Sequence, residues 1–396
     1  MYKAKLWTKD FLIISIENFF VYFIYYLLIA TITVYATEKF QASPSIAGLS
    51  SGIFILGALL GRFYSGASIE RIGRKKMLYM GFSFYLITTL LYFAAYSLQL
   101  LLLIRIMHGA AFGMTSTATG TIAAEIIPKE RRGEGTGYYA LSMTLAAAIG
   151  PFLGMFIAQH VNFKINFVIC AFVLALSFIL SFPLEVSKPE LTRQESERTR
   201  EFKFVNFFEA KAIPISIITA LVCFSYSTIL SFLASYSKEI QLADAASFFF
   251  IVYAVAILVS RPFIGRWFDK KGENFVIYPT FLMFTIALLI LSQAHQGLSI
   301  LVAGALVGLG YGNFFSSAQA LAIKVSPKHR MALATSTFFI FADLGCGIGP
   351  FLLGFVIPLI GFRGLYLAMG FVVLVNIFLY YFLHGKSIDE NVNLAA

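Results

Sequence analysis

Long apolar runs separated by short polar loops constrain this sequence more than any other feature. A helix needs about 20 mostly apolar residues to cross a bilayer. Twelve runs of that size lie near residues 11–36, 45–66, 77–96, 98–126, 135–159, 164–184, 212–237, 246–267, 275–294, 298–325, 331–359 and 363–384. The sequence therefore predicts an all-α membrane protein with twelve transmembrane helices.

The composition excludes an ordinary soluble protein. Hydrophobic residues make up 59% of the chain and charged residues only 13%, whereas soluble domains carry about 25% charged residues. The net charge of +10 comes from basic residues in short loops, so it indicates membrane topology and not a nucleic-acid surface. Cys170, Cys223 and Cys346 all fall within apolar runs, so we expect neither a disulfide nor a metal site.

Lysine and arginine are distributed unequally between the loops on the two sides of the predicted bilayer. Twelve helices place both termini on one side, and most of the basic residues lie on that side. The loops of the opposite side hold only Lys39, Lys164, Lys238 and Arg363. The positive-inside rule then predicts that both termini are cytoplasmic. The first run is too long for a signal peptide and contains Glu17, so we expect an uncleaved multi-pass protein of the plasma membrane.

The second half of the chain repeats the first with an offset of 199 residues. Pairs related by this offset include Arg62 and Arg261, Gly66 and Gly265, Glu70 and Asp269, Gly73 and Gly272, Gly109 and Gly308, Gly150 and Gly349, and Pro151 and Pro350. An even number of helices per repeat predicts two bundles related by a pseudo-two-fold axis along the membrane normal. We expect bundles at 1–184 and 212–396, with a cytoplasmic linker at 185–211.

The loop between the second and third runs combines glycines with a cluster of charge. Gly66 and Gly73 flank Glu70 and Arg71, and Arg74 follows directly. Small residues at these positions would let two helices and their connecting loop come close together. The repeat keeps the glycines and the acid, as Asp269, but it lacks the basic pair at 74–75.

Arg105 and His108 lie one helical turn apart in the fourth run. Counted from Ser97, Arg105 lies roughly 12 Å into the membrane. A charge at that depth costs several kcal/mol unless it is paired or hydrated, which favours a functional role over a purely structural tie between helices. His108 is a second candidate because histidine titrates near neutral pH, although it could instead supply only hydrogen bonds.

A glycine-proline motif occurs once in each half. The fifth run contains Gly150, Pro151 and Gly154, and the eleventh run contains Gly349 and Pro350. Small residues permit close helix packing, and proline bends a helix by removing a backbone donor. Generic helix packing is the alternative interpretation, since glycine and proline are common in transmembrane helices.

These motifs resemble those of the major facilitator superfamily of transporters, and the pattern is most similar to its twelve-span drug:proton antiporters. The resemblance implies alternating access, a proton-transfer role for Arg105 and an exporter motif around Gly150. It implies a cytoplasmic gating latch in which Glu125 meets Arg74. The gating residues expected are Gly66, Glu70, Arg71, Gly73, Arg74, Glu125 and, in the repeat, Asp269. His108 stands where the family usually has glutamine.

Two acidic residues are difficult to explain as packing. Glu17 lies roughly 10 Å beyond Asp10, and Asp343 lies roughly 18 Å beyond Met331, near the midplane. A carboxyl in such a place can change its protonation when it is exposed to one side of the membrane or the other. We expect Asp343, Arg105, Glu17 and His108 to couple transport to protons. A hydrated cytoplasmic vestibule remains an alternative for Glu17.

Polar and aromatic side chains should line a central substrate cavity. The candidates are Tyr22, Tyr25, Tyr26, Tyr226, Asn313 and Gln319. No P-loop, hydrolase triad or metal-ligand cluster is visible, so we expect no enzyme and no cofactor, with a proton gradient as the energy source. The partners expected are a small-molecule substrate, protons and the lipid bilayer, with the protein a monomer.

Three hypotheses for function follow. The first is proton-coupled efflux of small amphipathic, cationic compounds, as in multidrug transporters. The second is transport of a specific metabolite, such as a sugar, an amino acid or a metal-chelating product. The third is a membrane sensor of the same fold, which the charges at Arg105 and Asp343 disfavour.

Overall fold

A computed structural model describes residues 5–128, 131–186, 208–327 and 330–385. The described residues form helices connected by short loops, and they contain no β-strand. The helices are α1 (Lys9–Ile29), α2 (Ile32–Phe40), α3 (Pro44–Ile72), α4 (Arg74–Leu91), α5 (Leu98–Ile126), α6 (Arg132–His160), α7 (Phe163–Leu180), α8 (Ile213–Glu239), α9 (Ala243–Lys271), α10 (Glu273–Ser292), α11 (Gly297–Val307), α12 (Asn313–Lys324) and α13 (Met331–Tyr380). A π-helical segment, Gly308–Gly312, joins α11 to α12.

Short polar side chains determine where several helices begin. Thr8 accepts a hydrogen bond from the Phe11 amide at 3.2 Å, and Ser97 accepts one from the Leu100 amide at 3.2 Å. Asn162 does the same for Lys164 at the start of α7, at 2.9 Å. These N-caps satisfy amides that would otherwise lack partners at the ends of apolar helices.

The predicted all-α membrane fold is confirmed, with two differences in detail. Eleven described helical stretches are long and apolar enough to span a membrane. The last of them, α13, contains both the predicted eleventh and the predicted twelfth helix, which meet at a kink at Gly361, where φ is 67°. The first predicted run was wrong as a single helix, because the chain breaks at residues 30–31 between α1 and α2.

The chain divides into two compact units. Unit 1 comprises Met1–Ala42 and Ile53–Glu201, and unit 2 comprises Ser43–Gly52 and Phe202–Ala396. The beginning of α3 therefore packs with unit 2 and the remainder with unit 1. The predicted linker at 185–211 lies mostly outside the described residues.

Each unit is built on the same plan. In unit 1, α1 packs on α5, α6 and α7, and α4 packs on α5 and α7. In unit 2, α8 packs on α13, while α10 contacts both α11 and α13. Large apolar side chains such as Phe172, Leu359 and Phe382 are 69%, 81% and 74% exposed, as expected where helices face lipid.

Candidate functional site

Interlocking glycines bring α3 and α5 into backbone contact beside Arg105 and His108. A Cβ atom added at any of these glycines would lie far inside van der Waals contact with a carbonyl oxygen on the other helix. These distances are 2.0 Å for Gly57 to Ile106, 2.0 Å for Gly61 to Ala110, 1.9 Å for Gly109 to Phe54 and 2.1 Å for Gly113 to Ala58. Only glycine permits this approach.

Arg105 is buried within unit 1, at 1% exposure. Its guanidinium carbon lies 4.5 Å from the centre of the Phe54 ring, and its Nη1 atom donates to the Tyr92 hydroxyl at 3.2 Å. A cation over an aromatic ring in a desolvated site gains about 2 kcal/mol or more. The charge is therefore held by a ring and a hydroxyl of its own unit.

His108 is also fully buried and contacts hydroxyl groups through both ring nitrogens. Its Nε2 atom lies 3.0 Å from Thr89 Oγ1, and its Nδ1 atom lies 3.3 Å from the Tyr92 hydroxyl. Sequence reasoning missed Thr89 and Tyr92. A signal that could have identified them is their position near the end of α4. A short loop joins this end to the start of α5, so the two helix ends lie side by side.

Glu17 lies on α1 in unit 1 and is completely buried. Neither of its carboxyl oxygens accepts a hydrogen bond from any described residue, so Arg105 is not its hydrogen-bonding partner. The adjacent Asn18 is satisfied, because its amide donates to Ser142 Oγ at 2.7 Å and accepts from the Tyr139 hydroxyl at 2.8 Å. The unsatisfied group at this position is the carboxyl alone.

The predicted cavity tyrosines of α1 form one aromatic cluster in unit 1. Tyr25 lies 4.8 Å from Tyr26 and stacks on Phe112 at 5.1 Å between ring centres. Tyr22 meets Phe112 edge-on at 5.2 Å. All three tyrosines are partly buried, so the structure brings them together around Phe112, between α1 and the Arg105 helix.

Two of the predicted cavity residues of unit 2, Tyr226 and Asn313, adjoin the π-helical segment. Tyr226 stacks on Tyr311 with ring centres 3.7 Å apart. Asn313 donates to Ser260 Oγ at 2.8 Å, while its Oδ1 atom has no donor among the described residues. Gln319 is partly buried one turn or more beyond. Segments of π-helix are frequent at functional sites because they reorient side chains.

Asp343 lies partly buried on α13 in unit 2, one turn before Cys346. The Cys346 thiol donates to the Cys223 carbonyl oxygen at 3.6 Å, and the Cys223 thiol lies 3.7 Å from the Tyr311 hydroxyl. The predicted acid of unit 2 thus lies one turn from Cys346, whose thiol contacts the backbone of α8, the helix that carries Tyr226. The cysteines are free, in unit 1 as in unit 2.

The predicted gating residues lie in unit 1 except for Asp269, which lies in unit 2. Arg74, at the start of α4, forms an ion pair with Glu125 at the end of α5. Gly73 has a φ of 96°, in the left-handed region that favours glycine, and Arg71 is exposed. The side chains of Glu70 and Asp269 lie outside the described residues.

The expectation that Gly66 allows close packing was wrong. A Cβ atom added at Gly66, or at its repeat Gly265, would meet no described atom within 4 Å. Gly73 and Gly272 are needed for their positive φ values, not for contact with a neighbouring helix. The close approach occurs instead at the α3–α5 crossing.

The glycine-proline motif packs against the first helix of each unit. A Cβ atom at Gly150 would lie 2.9 Å from the Phe23 oxygen, and one at Gly154 would lie 2.7 Å from the Leu27 oxygen. In unit 2, a Cβ atom at Gly349 would lie 2.2 Å from Ser227 Oγ. Pro151 and Pro350 lie inside α6 and α13. The motif therefore has a direct packing role in both units.

One groove on unit 2 does not qualify as the substrate site. It has a volume of about 340 Å³ and is lined by Leu221, Phe371, Val372, Val375, Asn376 and Leu379. None of the predicted cavity residues lines it. Phe371 and Val375 are 59% and 61% exposed, so the groove opens toward lipid.

Comparison with known proteins identifies the family. The family model for the Major Facilitator Superfamily matches residues 14–350 and 215–394. This chain belongs to the Major Facilitator Superfamily, a family of membrane transporters, and the resemblance predicted from its motifs is confirmed.

One relative is named as an export protein and another as a multidrug resistance protein. The Staphylopine export protein of Staphylococcus aureus is 23% identical over 349 residues, covering 84% of this chain and 86% of the relative. Multidrug resistance protein 2 of Bacillus subtilis is 22% identical over 277 residues, covering 68% and 69%. This chain is thus a membrane transporter with relatives among efflux and multidrug proteins.

Solved structures share the fold. The nucleoside transporter NupG superposes with a TM-score of 0.74 at 13% identity, covering 95% of this chain and 99% of NupG. A bacterial homologue of the human lysosomal transporter Spinster superposes with a TM-score of 0.75 at 14% identity, covering 94% and 96%. At such identities the likeness concerns the fold alone.

Proposed function

We propose that this chain is a proton-coupled exporter of small amphipathic cations that works by alternating access. The observation that carries the proposal is Glu17, a fully buried carboxyl whose two oxygens find no donor among the described residues. An ionised carboxyl in that environment costs several kcal/mol. It is tolerated when a proton neutralises it or when a cation binds beside it.

These two ways of neutralising Glu17 exclude each other. A proton entering from outside displaces a bound cationic substrate, and release of that proton inside restores the binding site. Differential binding to the two states of the cycle is sufficient to drive exchange. The partly buried Asp343 provides a second carboxyl in unit 2.

The surroundings of Glu17 suit an amphipathic substrate. The tyrosines of α1 and the Phe112 ring offer aromatic faces to a flat or cationic compound. The relatives named as export and multidrug resistance proteins support an export direction. The sequence-based orientation places both termini in the cytoplasm of a plasma-membrane protein, which we propose acts as a monomer without a cofactor.

Transport of ethidium by everted membrane vesicles tests the proposal. Vesicles containing the wild-type chain should accumulate ethidium when the lumen is acidified, and the accumulation should collapse when the proton gradient is dissipated. Glu17→Gln should lose proton-driven uptake, whereas Glu17→Asp should retain part of it because the carboxyl is preserved. Equal uptake by wild-type and Glu17→Gln vesicles would contradict the role of Glu17.

Export of a specific metabolite is the second candidate. The observation that favours it is Arg105, because a buried guanidinium could bind an anionic group of such a compound. One relative that covers most of this chain is named for the export of a single product, staphylopine. Two results together would favour this alternative. Lipophilic cations in a test panel would not compete with one another for the protein, and a carboxylate-bearing compound would bind.

A further inference from the structure

Four side chains of unit 1 form a continuous hydrogen-bonded chain through the buried start of α5. Arg105 donates to the Tyr92 hydroxyl at 3.2 Å, and this hydroxyl lies 3.3 Å from His108 Nδ1. At the opposite edge of the imidazole ring, His108 Nε2 lies 3.0 Å from Thr89 Oγ1. Thr89 in turn donates to the Tyr85 carbonyl oxygen at 2.8 Å.

The donor and acceptor capacities of these groups determine the direction of every bond. A guanidinium has only donors, so the Tyr92 oxygen accepts and its single proton is available to His108 Nδ1. The Thr89 proton is used on the Tyr85 carbonyl, so Thr89 Oγ1 accepts from Nε2–H of His108. The chain is complete when His108 is neutral and carries its proton on Nε2.

A protonated His108 would break this arrangement. Both ring nitrogens would then donate, and the Tyr92 oxygen would face the Arg105 and His108 donors together while its own proton lost its acceptor. The titratable groups that act on this cluster include Arg105, Tyr22, Tyr35, Tyr85, Tyr92 and Cys170. Arg105 already places a positive charge beside the imidazole ring, and a second like charge there is unfavourable.

We infer that His108 is a positioning residue that stays neutral throughout the cycle and, through Tyr92, holds the Arg105 guanidinium over the Phe54 ring. This assigns His108 a different role from the proton coupling expected from the sequence. It makes Tyr92 and Thr89 parts of the Arg105 site. The inference rests on the proposed function only in that Arg105 takes part in transport.

The equivalent positions of unit 2 support a role beyond folding. The offset of 199 residues places Leu288, Leu291, Gly304 and Val307 where unit 1 has Thr89, Tyr92, Arg105 and His108. The corresponding helices α10 and α11 nevertheless pack together in unit 2. The helix pair does not need the polar chain in order to form.

Substitution by glutamine separates a positioning role from a proton-carrying role. A glutamine amide can accept from Tyr92 through its oxygen and donate to Thr89 through its nitrogen, but it cannot carry a proton near neutral pH. Proton-driven ethidium uptake by His108→Gln proteoliposomes should therefore keep most of the wild-type rate. Its pH profile between about pH 5.5 and 8.5, where histidine titrates, should match the wild type.

Variants that break the chain should behave differently. His108→Leu and Tyr92→Phe each remove a bond in the chain that ends on the charged Arg105, so uptake should fall about tenfold. A thermal unfolding midpoint for each variant in detergent checks that the protein is folded. Loss of uptake by a folded His108→Gln protein, or a shifted pH profile, would overturn the inference.

A spectroscopic measurement keeps the inference testable if the protein does not move ethidium at all. The protein contains five histidines. Comparison of 15N-histidine NMR spectra of the wild type and His108→Gln isolates the His108 signals. We expect a neutral ring with the proton on Nε2 across the same pH range. Titration of that signal, or a proton on Nδ1, would contradict the positioning role whatever the outcome for transport.

Discussion

Unit 1 and unit 2 share one helical plan but differ in what they bury at equivalent positions. Glycines close the α3–α5 crossing of unit 1, where Gly109 lies against Phe54. They also close the equivalent crossing of unit 2, where Gly308 of the π-helical segment after α11 lies against Tyr253 of α9. Beside the first crossing lies the chain from Arg105 to Thr89, and beside the second lie apolar residues. Glycine contact therefore forms the bundle, whereas the polar chain is an addition specific to unit 1.

The ion pairs at the loop ends show the opposite relationship. Arg74 pairs with Glu125 in unit 1, and Lys324 pairs with Glu273 in unit 2 at 2.8 Å. The offset of 199 residues maps Arg74 to Glu273 and Glu125 to Lys324, so the two pairs join equivalent helix ends with the charges exchanged. What the repeat keeps is complementarity between two helix ends, not the sign of either charge.

The largest effect is expected from filling the glycine crossing. Gly109→Ala places a methyl group 1.9 Å from the Phe54 oxygen, and overpacking of this kind costs about 1–3 kcal/mol or more. Gly66→Ala is the matched control because no described atom lies near it. The thermal unfolding midpoint in detergent should fall clearly for Gly109→Ala and change little for Gly66→Ala. Equal midpoints would show that the glycine crossing does not stabilise the fold.

The carboxyl groups offer the next test, since neither has a counterpart in the other unit. Asp343 is matched by Thr144, and Glu17 is matched by Ser216. Asp343→Asn should reduce proton-driven ethidium uptake on the order of a hundredfold, the lower range for removal of a proton-transfer group, while ethidium binding is kept. Asp343→Glu serves as the control. Full proton-driven uptake by the asparagine variant would take Asp343 out of the mechanism.

The smallest effect is expected from the exchanged ion pairs. Arg74 and Glu125 are 18% and 25% exposed, so reversing one charge with Glu125→Arg should lower stability by about 1 kcal/mol or less. The double variant Arg74→Glu with Glu125→Arg copies the polarity of unit 2 and should recover most of that loss. A double-mutant cycle of thermal unfolding measurements gives the coupling energy between residues 74 and 125. Failure of the double variant to recover would show that unit 1 requires its own polarity.

Much of the fold could be predicted because bilayer insertion leaves a strong pattern in the chain. The length of the apolar runs predicts the helices, although hydropathy could not show that the first run breaks near residue 30, since apolar residues continue on both sides of the break. The sequence predicted close packing at Gly66, whereas the structure shows it at the α3–α5 crossing. Gly66 and Gly57 look alike in sequence, and only the α3–α5 crossing distinguishes an open glycine from one in backbone contact.

Within the candidate site, the charged residues were predictable and their partners were not. A charge in an apolar run such as Arg105 or Glu17 stands out because lipid makes it costly. Tyr92 and Thr89 do not stand out, because tyrosine and threonine are ordinary residues near the end of a transmembrane helix. Their importance follows from the hydrogen bonds that α4 and α5 bring together.

The sequence by itself determined that this chain enters a membrane as two repeated sets of helices, because hydrophobic length, loop charge and an offset of 199 residues are properties of the linear order. Only the tertiary structure decided that Glu17 lacks a donor among the described residues, that His108 is held between two hydroxyls and that the ion pairs exchange their charges. Hydrogen bonds and ion pairs depend on distances of a few ångströms between helices. Those distances are set by how the helices pack against one another, which no property of a single helix determines.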